Sequence, residues 1–403
     1  MHDGRIFVQI ASYRDDELRK TIESCLKMAK SPERLTFGIV HQYDDYTKDI
    51  IDDYRSDKRF RIHDMPWQEA KGAGLARHLC NGLYDGEEYT LQIDSHMRFS
   101  EGWDESLVRQ WLDLGDQNAV FSAHPYDFSY DDDGNERLSK GTYTTAVPVI
   151  YKFHNHNVPI LISHSIAATK GVARKSYFVV GGFVFGPGRI CREVPYDKDV
   201  AFMGEEVVYS LKLFTSGFTI YKPAELGIYH LYERPKQRRY WNDMTEEQEA
   251  DLAKAYREMT ERSLKMAVRI VEGQEPDRLG KKRTIEEFER YVGIDFKRRL
   301  IHPDMQNGIE PPVAKSADWV DELLPEVDQE YVVNTEVLAG RDYKLLHVFL
   351  YDKYNAKVWS GGINRSEIEG STRYTIKFES RMAPEKSEAN LLTNEDTWAR
   401  VEV

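Results

Sequence analysis

Apolar runs of strand length alternate with apolar residues at helical spacing between residues 6 and 93. Residues 6–10 predict a first strand, and Leu18, Ile22 and Cys25 recur at the spacing of helical turns, which predicts a helix. The pattern then predicts strands at residues 35–42, 60–63 and 89–93 and helices at residues 46–54 and 74–83. Strands that alternate with helices are typical of an α/β fold with parallel pairing, and such sheets bind ligands at the carboxyl ends of their strands.

The pattern becomes less regular after Trp103. It predicts β segments at residues 143–153, 158–168, 177–185 and 219–221 and helices at residues 204–216 and 245–271. Together with the first strands, these segments predict an α/β domain.

The last 90 or so residues follow a different pattern. Polar residues alternate with apolar or aromatic ones at residues 331–333, 343–351, 357–359 and 372–378, with turn residues between them, which predicts a small antiparallel β domain of sandwich type. Pro311 and Pro312 mark the predicted boundary. We therefore expect a catalytic domain at residues 1–310 and an accessory β domain at residues 311–403, whose role in binding an acceptor or partner is a hypothesis.

The composition narrows the class of protein. The 403 residues are 41% hydrophobic and 31% charged, as in ordinary globular proteins. The net charge of −13 makes a nucleic acid an unexpected partner, so any phosphate-binding group must be local. No apolar run is long enough for a transmembrane segment, and the N-terminus leads directly into a strand without a signal peptide, so a cytoplasmic enzyme is expected. Cys25, Cys80 and Cys191 show no metal-binding or disulfide spacing and are expected to be buried thiols.

The strand at residues 89–93 runs directly into Asp94, Ser95 and His96. A carboxylate and an imidazole two positions apart at a strand end can share one divalent cation, which could hold a nucleotide diphosphate. Alternatively, Asp94 caps a turn and His96 is an ordinary loop histidine.

Glu205 and Glu206 fall in the first turn of a predicted helix, where the helix dipole favours carboxylates. Capping alone would explain them. Next to a nucleotide-sugar site, however, a pair of acids could contact sugar hydroxyls, orient an acceptor or stabilise positive charge at the anomeric carbon.

Four cations follow His230 within a short segment of this acidic chain. Arg234, Lys236, Arg238 and Arg239 could form a phosphate clamp, because guanidinium groups match phosphate oxygens. A solvated basic face at the start of the next helix is the alternative.

Two glycine-rich segments could lie close to a ligand. Residues 72–74 precede a predicted helix that contains Arg77, which could pair with a phosphate or with a carboxylate of the metal site. Residues 181–188 could form a turn or a wall of the acceptor site. Neither segment matches a dinucleotide or Walker motif.

Six ordered motifs resemble the polypeptide N-acetylglucosaminyltransferase family, whose eukaryotic members modify hydroxyproline on an F-box adaptor subunit. The resemblance covers about the first 300 residues and lies in IASYRD (10–15), AR (76–77), QIDSHMRF (92–99), VPYD (194–197), FMGEE (202–206) and YHLYER (229–234). It implies a glycosyltransferase A fold (a Rossmann-like mixed sheet flanked by helices), a UDP-sugar donor, a divalent ion that is usually Mn²⁺ (or Mg²⁺), and transfer with retention of configuration. The C-terminal β domain is not a recognised part of this family.

The chain is also similar to the mucin-type polypeptide N-acetylgalactosaminyltransferases, in which a D-x-H motif and a later histidine hold the metal. Carried over, the resemblance implies that the metal ligands are Asp94, His96 and His230. It also implies that Ser12, Arg14 and Asp44 lie near the uridine, that Arg77 lies beside the metal strand or the diphosphate, and that the acids at 205–206 face the donor sugar and acceptor.

The resemblance thus implies a retaining transferase that moves GlcNAc or GalNAc from a UDP-sugar, with UDP-GlcNAc as the expected donor, to a Ser, Thr or hydroxyproline hydroxyl of a polypeptide. A saccharide acceptor is one alternative. A non-catalytic protein that binds a nucleotide sugar or a glycan is another. The choice between GlcNAc and GalNAc stays open, because it depends on a few hydrogen bonds.

Overall fold

An eight-stranded mixed sheet forms the centre of the N-terminal part of the chain. The computed structural model describes residues 4–139, 144–153, 157–167, 171–234, 250–306, 319–325, 327–353, 355 and 357–402. Up to residue 306 the strands are β1 (Ile6–Tyr13), β2 (Leu35–Tyr43), β3 (Phe60–Pro66), β4 (Tyr89–Ile93), β5 (Met97–Phe99), β6 (Ala119–Ser122), β7 (Tyr126–Tyr130), β8 (Glu136–Leu138), β9 (Thr144–Phe153), β10 (Pro159–Ala167), β11 (Arg174–Lys175), β12 (Phe183–Pro187), β13 (Thr219–Lys222), β14 (Ile228–His230), β15 (Ile294–Asp295) and β16 (Leu300–Ile301). The helices are α1 (Leu18–Met28), α2 (Ala73–Gly82), α3 (Trp103–Asp113), α4 (Ile190–Glu193), α5 (Glu205–Thr215), α6 (Ala250–Val271), α7 (Ile285–Val292) and α8 (Pro303–Gln306).

The central sheet has the strand order β11-β13-β6-β12-β4-β1-β2-β3. β1 pairs in parallel with both β2 and β4, and Ile10 lies opposite Ile93. Successive residues of β1, such as Phe7 and Val8, are fully buried because both faces of the sheet are covered, which explains the continuous apolar run in the sequence. The loops that follow β1 and β4 therefore lie side by side at the carboxyl edge. The predicted α/β class is confirmed.

A second, smaller sheet has the order β5-β14-β7-β8. β14 runs antiparallel to β5, so that His230 lies opposite Met97 and Ile228 opposite Phe99. The backbone N–H of Leu231 donates to the carbonyl of His96 at 3.1 Å. This pairing brings a segment near residue 230 to the edge where β4 ends.

β9 and β10 form an antiparallel hairpin beside the central sheet. Ile160 lies opposite Lys152 and Leu161 opposite Ile150, so Tyr151 is the extra residue of a β-bulge. Apolar side chains of this hairpin share a core with helices α5, α6 and α7.

The C-terminal part is antiparallel and has a core of its own. β17 (Leu324–Pro325) pairs with β16 and belongs to a sheet of the order β15-β16-β17. The strands and helix that follow are β18 (Val327–Asn334), β19 (Leu345–Tyr351), β20 (Lys357–Asn364), α9 (Arg365–Ile368), β21 (Arg373–Ser380), β22 (Lys386–Leu392) and β23 (Trp398–Val401). β18 pairs with β21, and the other sheet has the order β20-β19-β22-β23. Val333, Leu346, Val348 and Ile376 pack between them. The predicted boundary at residues 310 and 311 lies outside the described residues and stays a prediction.

Two predicted elements differ from the structure. Residues 46–54 form turns with a 3₁₀ segment at Asp52–Tyr54 instead of a helix, because the side chain of Asp44 accepts hydrogen bonds from the backbone N–H groups of Tyr46 and Thr47. In the predicted strand at 177–185, pairing in the sheet begins only at Phe183, after a turn.

Within the described residues, no helix has the length and apolar character needed to cross a bilayer. The three cysteines are buried free thiols, as the sequence predicts.

Candidate active site

A cavity of about 610 Å³ opens at the carboxyl edge of β1 and β4. Its walls come from the loops after these strands, the start of α2, the turn at residues 180–182, the start of α5, and residues 230–234. The hairpin contributes Pro159, Ile160 and Leu161 on a further side. Ligand sites of α/β sheets are expected at this edge.

Asp94, His96 and His230 meet in one wall of this cavity. Nε2 of His96 lies 2.9 Å from Nε2 of His230, and Nε2 of His230 lies 3.3 Å from Oδ2 of Asp94. One donor atom from each residue lies within 4.8 Å of the other two. The structure thus brings together the three predicted ligands, although 134 positions separate the two histidines in the chain.

Asp15 fixes the orientation of His96. Its Oδ2 lies 2.8 Å from Nδ1 of His96 and accepts a hydrogen bond from the Ser95 hydroxyl at 2.6 Å. Arg234 donates to the same oxygen at 3.1 Å. A proton on Nδ1 that is donated to Asp15 leaves the Nε2 lone pair free for a cation.

Asp15 belongs to the IASYRD motif, but no role was predicted for it. Its position just after β1 could have indicated one, because β1 and β4 are adjacent parallel strands and the residues that follow them must be neighbours. Burial alone would raise the pKa of Asp15, but hydrogen bonding to His96 and Ser95 and the charge of Arg234 hold the pKa well below its ordinary value.

Arg77 links the metal-ligand cluster to the acid pair. From α2 it donates to Oε1 of Glu205 at 2.5 Å and to Oδ1 of Asp94 at 3.3 Å. Burial would raise the pKa of Asp94, but hydrogen bonding to His230 and the charge of Arg77 keep the pKa well below its usual range. Arg77 thus lies beside the residue that follows β4; a contact with a diphosphate stays a prediction.

Glu205 and Glu206 begin α5 and line the cavity. Glu206 accepts a hydrogen bond from the backbone N–H of Gly181 at 2.6 Å. Burial raises the pKa of Glu205, and burial together with the negative charge of Glu205 raises the pKa of Glu206. Neither side chain is a simple helix cap, because their carboxylates bind Arg77 and another segment of the backbone.

The charges around the cavity favour a bound cation. Among the described lining residues, the carboxyl groups of Asp15, Asp94 and the acid pair face only two guanidinium groups, those of Arg77 and Arg234. Two imidazole nitrogens and a carboxylate oxygen are suitable ligands for Mn²⁺ and similar divalent ions. The residues present therefore fit a divalent metal.

The residues predicted to lie near the uridine are arranged differently. Ser12 is fully buried and does not line the cavity, because successive side chains of a strand point to opposite faces; its neighbours Ala11 and Tyr13 line the cavity instead. Arg14 binds Asp44 at 2.9 Å and stacks on Trp67, with its guanidinium carbon 4.3 Å from the ring centroid. Neither Arg14 nor Asp44 is among the residues that line the cavity, so a direct contact with a nucleotide stays a prediction.

The predicted phosphate clamp is described only in part. Arg234 lines the cavity, but its Nη1 is committed to Asp15 and lies 2.8 Å from Nδ1 of His96. Lys236, Arg238 and Arg239 lie outside the described residues.

Gly74 has a structural role in its close approach to another segment. A Cβ at this position would lie 1.9 Å from the carbonyl oxygen of Val200, so the start of α2 packs against backbone at this point. Gly72 and Ala73, in contrast, line the cavity.

His124 is a cavity residue that the sequence did not single out. It follows β6 and lines the cavity beside Pro125. Burial, followed by the positive charge that His230 can carry, lowers the pKa of His124 to about 4, so the ring is neutral near pH 7. A single histidine in an irregular loop gave no pattern by which to find it.

Comparison with known proteins places this arrangement in a family. The model of the family described as Glycosyltransferase (GlcNAc) matches residues 5–55 and 47–298. No curated protein sequence matches the chain significantly. GalNAc-T7, solved with UDP, GalNAc and Mn²⁺, is similar over 98% of this chain and 68% of its own, with 12% identity and a TM-score of 0.50. That similarity shows the fold, which is of glycosyltransferase A type as the resemblance implied.

TarS of S. aureus is more distant in structure. TarS 1-349 aligns over 56% of this chain with 10% identity and a TM-score of 0.39, and the match spans 60% of the length of TarS 1-349, less than two thirds. Its complex with UDP-GlcNAc aligns over 76% of this chain and 84% of its own, with 13% identity and the same TM-score. The family match spans far more than half of the residues and includes the whole cavity edge from β1 to β14, and on that ground the chain belongs to the GlcNAc glycosyltransferase family.

Proposed function

We propose that this protein transfers GlcNAc, or GalNAc, from a UDP-sugar to a hydroxyl group of a polypeptide, with retention of configuration. The observation that carries the proposal is the convergence of Asp94, His96 and His230 at the cavity, with Asp15 holding His96 in place. Family membership supports the glycosyl transfer, and the bound UDP, GalNAc and Mn²⁺ of GalNAc-T7 support the donor class and the ion.

The metal would be held by Asp94, His96 and His230. When bound there, a divalent ion supplies Lewis-acid stabilisation for the negative charge of a departing diphosphate. The task of Asp15 is to keep the His96 ring turned toward that position. Arg77 lies between the partly exposed Asp94 and the buried Glu205 and offsets the charges of both carboxylates.

The acid pair is suited to binding the sugar and acceptor. Glu205 keeps a carboxylate against Arg77, and ionised oxygens in such a setting accept hydrogen bonds from hydroxyl groups. Glu206, whose pKa is raised, can exist in the protonated form nearer neutral pH and can then donate a hydrogen bond. Apolar residues on the hairpin side help to exclude water from the reacting centre.

The direct test is UDP release from purified protein with Mn²⁺ and a panel of UDP-sugars, with and without candidate peptides and glycans. We expect release from UDP-GlcNAc or UDP-GalNAc that rises when a hydroxyl-bearing peptide is added. Release that rises only with a glycan would replace the polypeptide acceptor by a saccharide. Binding of UDP-sugar without release under any condition would favour a non-catalytic protein.

Single substitutions in the metal site sharpen this test. We expect Asp94→Ala and His96→Ala to lower turnover by about 100- to 1,000-fold, because loss of electrostatic stabilisation at a reacting centre has effects of this size. His63→Ala, at an exposed position on β3, is the matched control and should keep normal turnover. Full activity of either metal-site variant would refute the assignment.

A further inference from the structure

The C-terminal β domain reaches the catalytic part through Arg381. This residue directly follows β21 and is only 7% exposed. Its Nη1 donates to the backbone carbonyl of Tyr151 in the hairpin at 3.2 Å, and its guanidinium carbon lies 5.8 Å from the centroid of the Phe153 ring. A buried guanidinium that binds a carbonyl of another domain fixes that point of the backbone.

The point that Arg381 binds is the bulge of the hairpin. Tyr151 is the residue left without a partner where Ile160 pairs with Lys152 and Leu161 with Ile150. Bulges bend a strand and redirect the side chains beside them, and they need support because the pairing is interrupted. The carbonyl of Tyr151 receives that support from the C-terminal domain.

The strand opposite the bulge forms a wall of the cavity. Pro159, Ile160 and Leu161 line it, and the buried Val158 just before them lies against the turn that starts α5. A Cβ on Gly204 would lie 2.6 Å from Cγ1 of Val158, so the hairpin and the residue preceding Glu205 are in close contact. A displacement of the bulge would therefore reach both the wall and the acid pair.

The chemistry of this wall suits an acceptor better than a diphosphate. It carries Pro159, Ile160 and Leu161, which offer no charge to a diphosphate, whereas the candidate metal ligands lie in another wall. An acceptor polypeptide brings apolar surface that such side chains can cover.

We propose that the C-terminal domain shapes the acceptor side of the cavity, with Arg381 as the positioning residue that acts through the hairpin bulge. The acceptor part of this proposal rests on the proposed glycosyl transfer. The contact itself does not, and it can be measured separately.

The experiment compares wild type, Arg381→Met and Arg381→Lys in the full chain. Methionine keeps an apolar stem but removes the donor, and lysine keeps a cationic donor. We expect hydrogen–deuterium exchange at residues 150–153 and 158–161 to be at least about threefold faster in Arg381→Met, because opening of the bulge no longer breaks a hydrogen bond. We expect KM for the acceptor peptide to rise about 10-fold, while KM for the UDP-sugar and the rate of acceptor-independent UDP release change less than about twofold. Arg381→Lys should restore most of the slow exchange in the hairpin and most of the wild-type KM for the acceptor peptide.

Arg400→Met is the matched control. Arg400 lies on β23 of the same domain and pairs with Glu388 at the surface, with 74% of its side chain exposed. Its replacement should change neither exchange in the hairpin nor acceptor KM.

Each result decides a separate question. Unchanged exchange in the hairpin of Arg381→Met would overturn the bracing contact, whatever the activity. Faster exchange with an unchanged acceptor KM, or with an equal loss in donor and acceptor parameters, would overturn the role on the acceptor side. If exchange responds but wild type releases no UDP under any condition, the contact stands, and the proposed transfer and the acceptor role that rests on it both fail.

Discussion

Asp15 orients His96 in the candidate metal site. It is 3% exposed, and one of its oxygens contacts His96, Ser95 and Arg234 together. A carboxylate that orients a ligating imidazole also raises its basicity, and loss of such a partner lowers metal affinity by about 10- to 100-fold.

We therefore expect Asp15→Asn to bind Mn²⁺ about 10- to 100-fold more weakly while the overall fold is kept. The amide has a similar shape but carries no charge to hold the ring. Isothermal titration of the protein with Mn²⁺ measures the affinity directly, and turnover should recover at high Mn²⁺. Asp16→Asn, at the exposed neighbouring position, is the control. Equal affinity in the Asp15 variant and wild type would show that His96 needs no support from this carboxylate.

At the level of single residues, the sequence indicated the candidate residues that lie just after predicted strands. Asp94 and His96 follow a buried strand, and that position made them candidate ligands, but a turn cap and an ordinary loop histidine were equally compatible with the local sequence and only the resemblance favoured the ligand role. His230 was assigned as a ligand only through the resemblance, because nothing local indicates that β14 will pair with β5. Ser12 was expected near the uridine through the resemblance, but a family motif does not give the face toward which each strand residue points, and Ser12 does not line the cavity; its place near a nucleotide stays a prediction.

The turn at residues 180–182 fixes the positions of the acid pair and Arg77 relative to each other. The N–H of Gly181 binds Glu206, and a Cβ at Gly181 would lie 2.3 Å from Nη1 of Arg77. The space that a side chain would occupy is thus filled by the guanidinium group. Backbone and side chain approach each other here as closely as only glycine allows.

We expect Gly181→Ala to fold but to lose about 100-fold in turnover. The added methyl group displaces the end of a long side chain rather than backbone, so the cost falls on the position of Arg77 and, through it, of Glu205; misplacements of about 1 Å can cost this much. UDP release and thermal unfolding of the same sample separate the two effects. Gly82→Ala, with no atom within 4 Å of the new Cβ, is the control at the end of α2 and should retain activity. Normal turnover in Gly181→Ala would show that Arg77 can move without consequence.

At the level of elements, periodicity predicted most helices and strands, and it failed where side chains compete for the backbone. Asp44 turns the chain at residues 46 and 47 in a segment whose apolar residues resemble a short helix. The turn before β12 is set by contacts with Glu206 and Arg77, which come from distant parts of the chain. Neither contact leaves a pattern in the local sequence.

The stability of the whole molecule should depend on Glu289, outside the cavity. Burial raises the pKa of this acid on α7 to about 7, from an ordinary value of 4.5. The unfolded chain therefore loses the proton first as the pH rises. Protonation of Glu289 therefore contributes fully to the free energy of unfolding below pH 4.5. This contribution is at most about 3 kcal/mol, and it is lost as the pH rises from 4.5 to about 7.

We expect Glu289→Gln to unfold at the same temperature as wild type near pH 4.5 and a few degrees higher at pH 8. Glutamine stays neutral and can still accept the hydrogen bond that Glu289 receives from the Phe296 N–H at 3.0 Å. Thermal unfolding at the two pH values measures the difference. Glu286→Gln, on the exposed side of the same helix, should show no such dependence on pH. A constant difference across the pH range would contradict the assignment to Glu289.

For the whole molecule, the α/β class and the C-terminal β region follow from the change in hydrophobic pattern along the chain. The contact between the catalytic part and the C-terminal β region cannot be predicted from that pattern. The local sequence around Arg381 does not indicate a distant partner. That partner is the carbonyl of Tyr151, in a bulge that exists only in the folded hairpin.

The pairing of β5 with β14 has a consequence for biosynthesis. The chain between His96 and His230 contributes β6, β11, β12 and β13 to the central sheet. The two imidazoles therefore become neighbours only when β14, which ends at His230, has formed and paired with β5. A nascent chain on the ribosome therefore cannot bring the three candidate ligands together until β14 has emerged and paired with β5. Tight binding of an ion at the proposed site would thus be a late step in the folding of the chain.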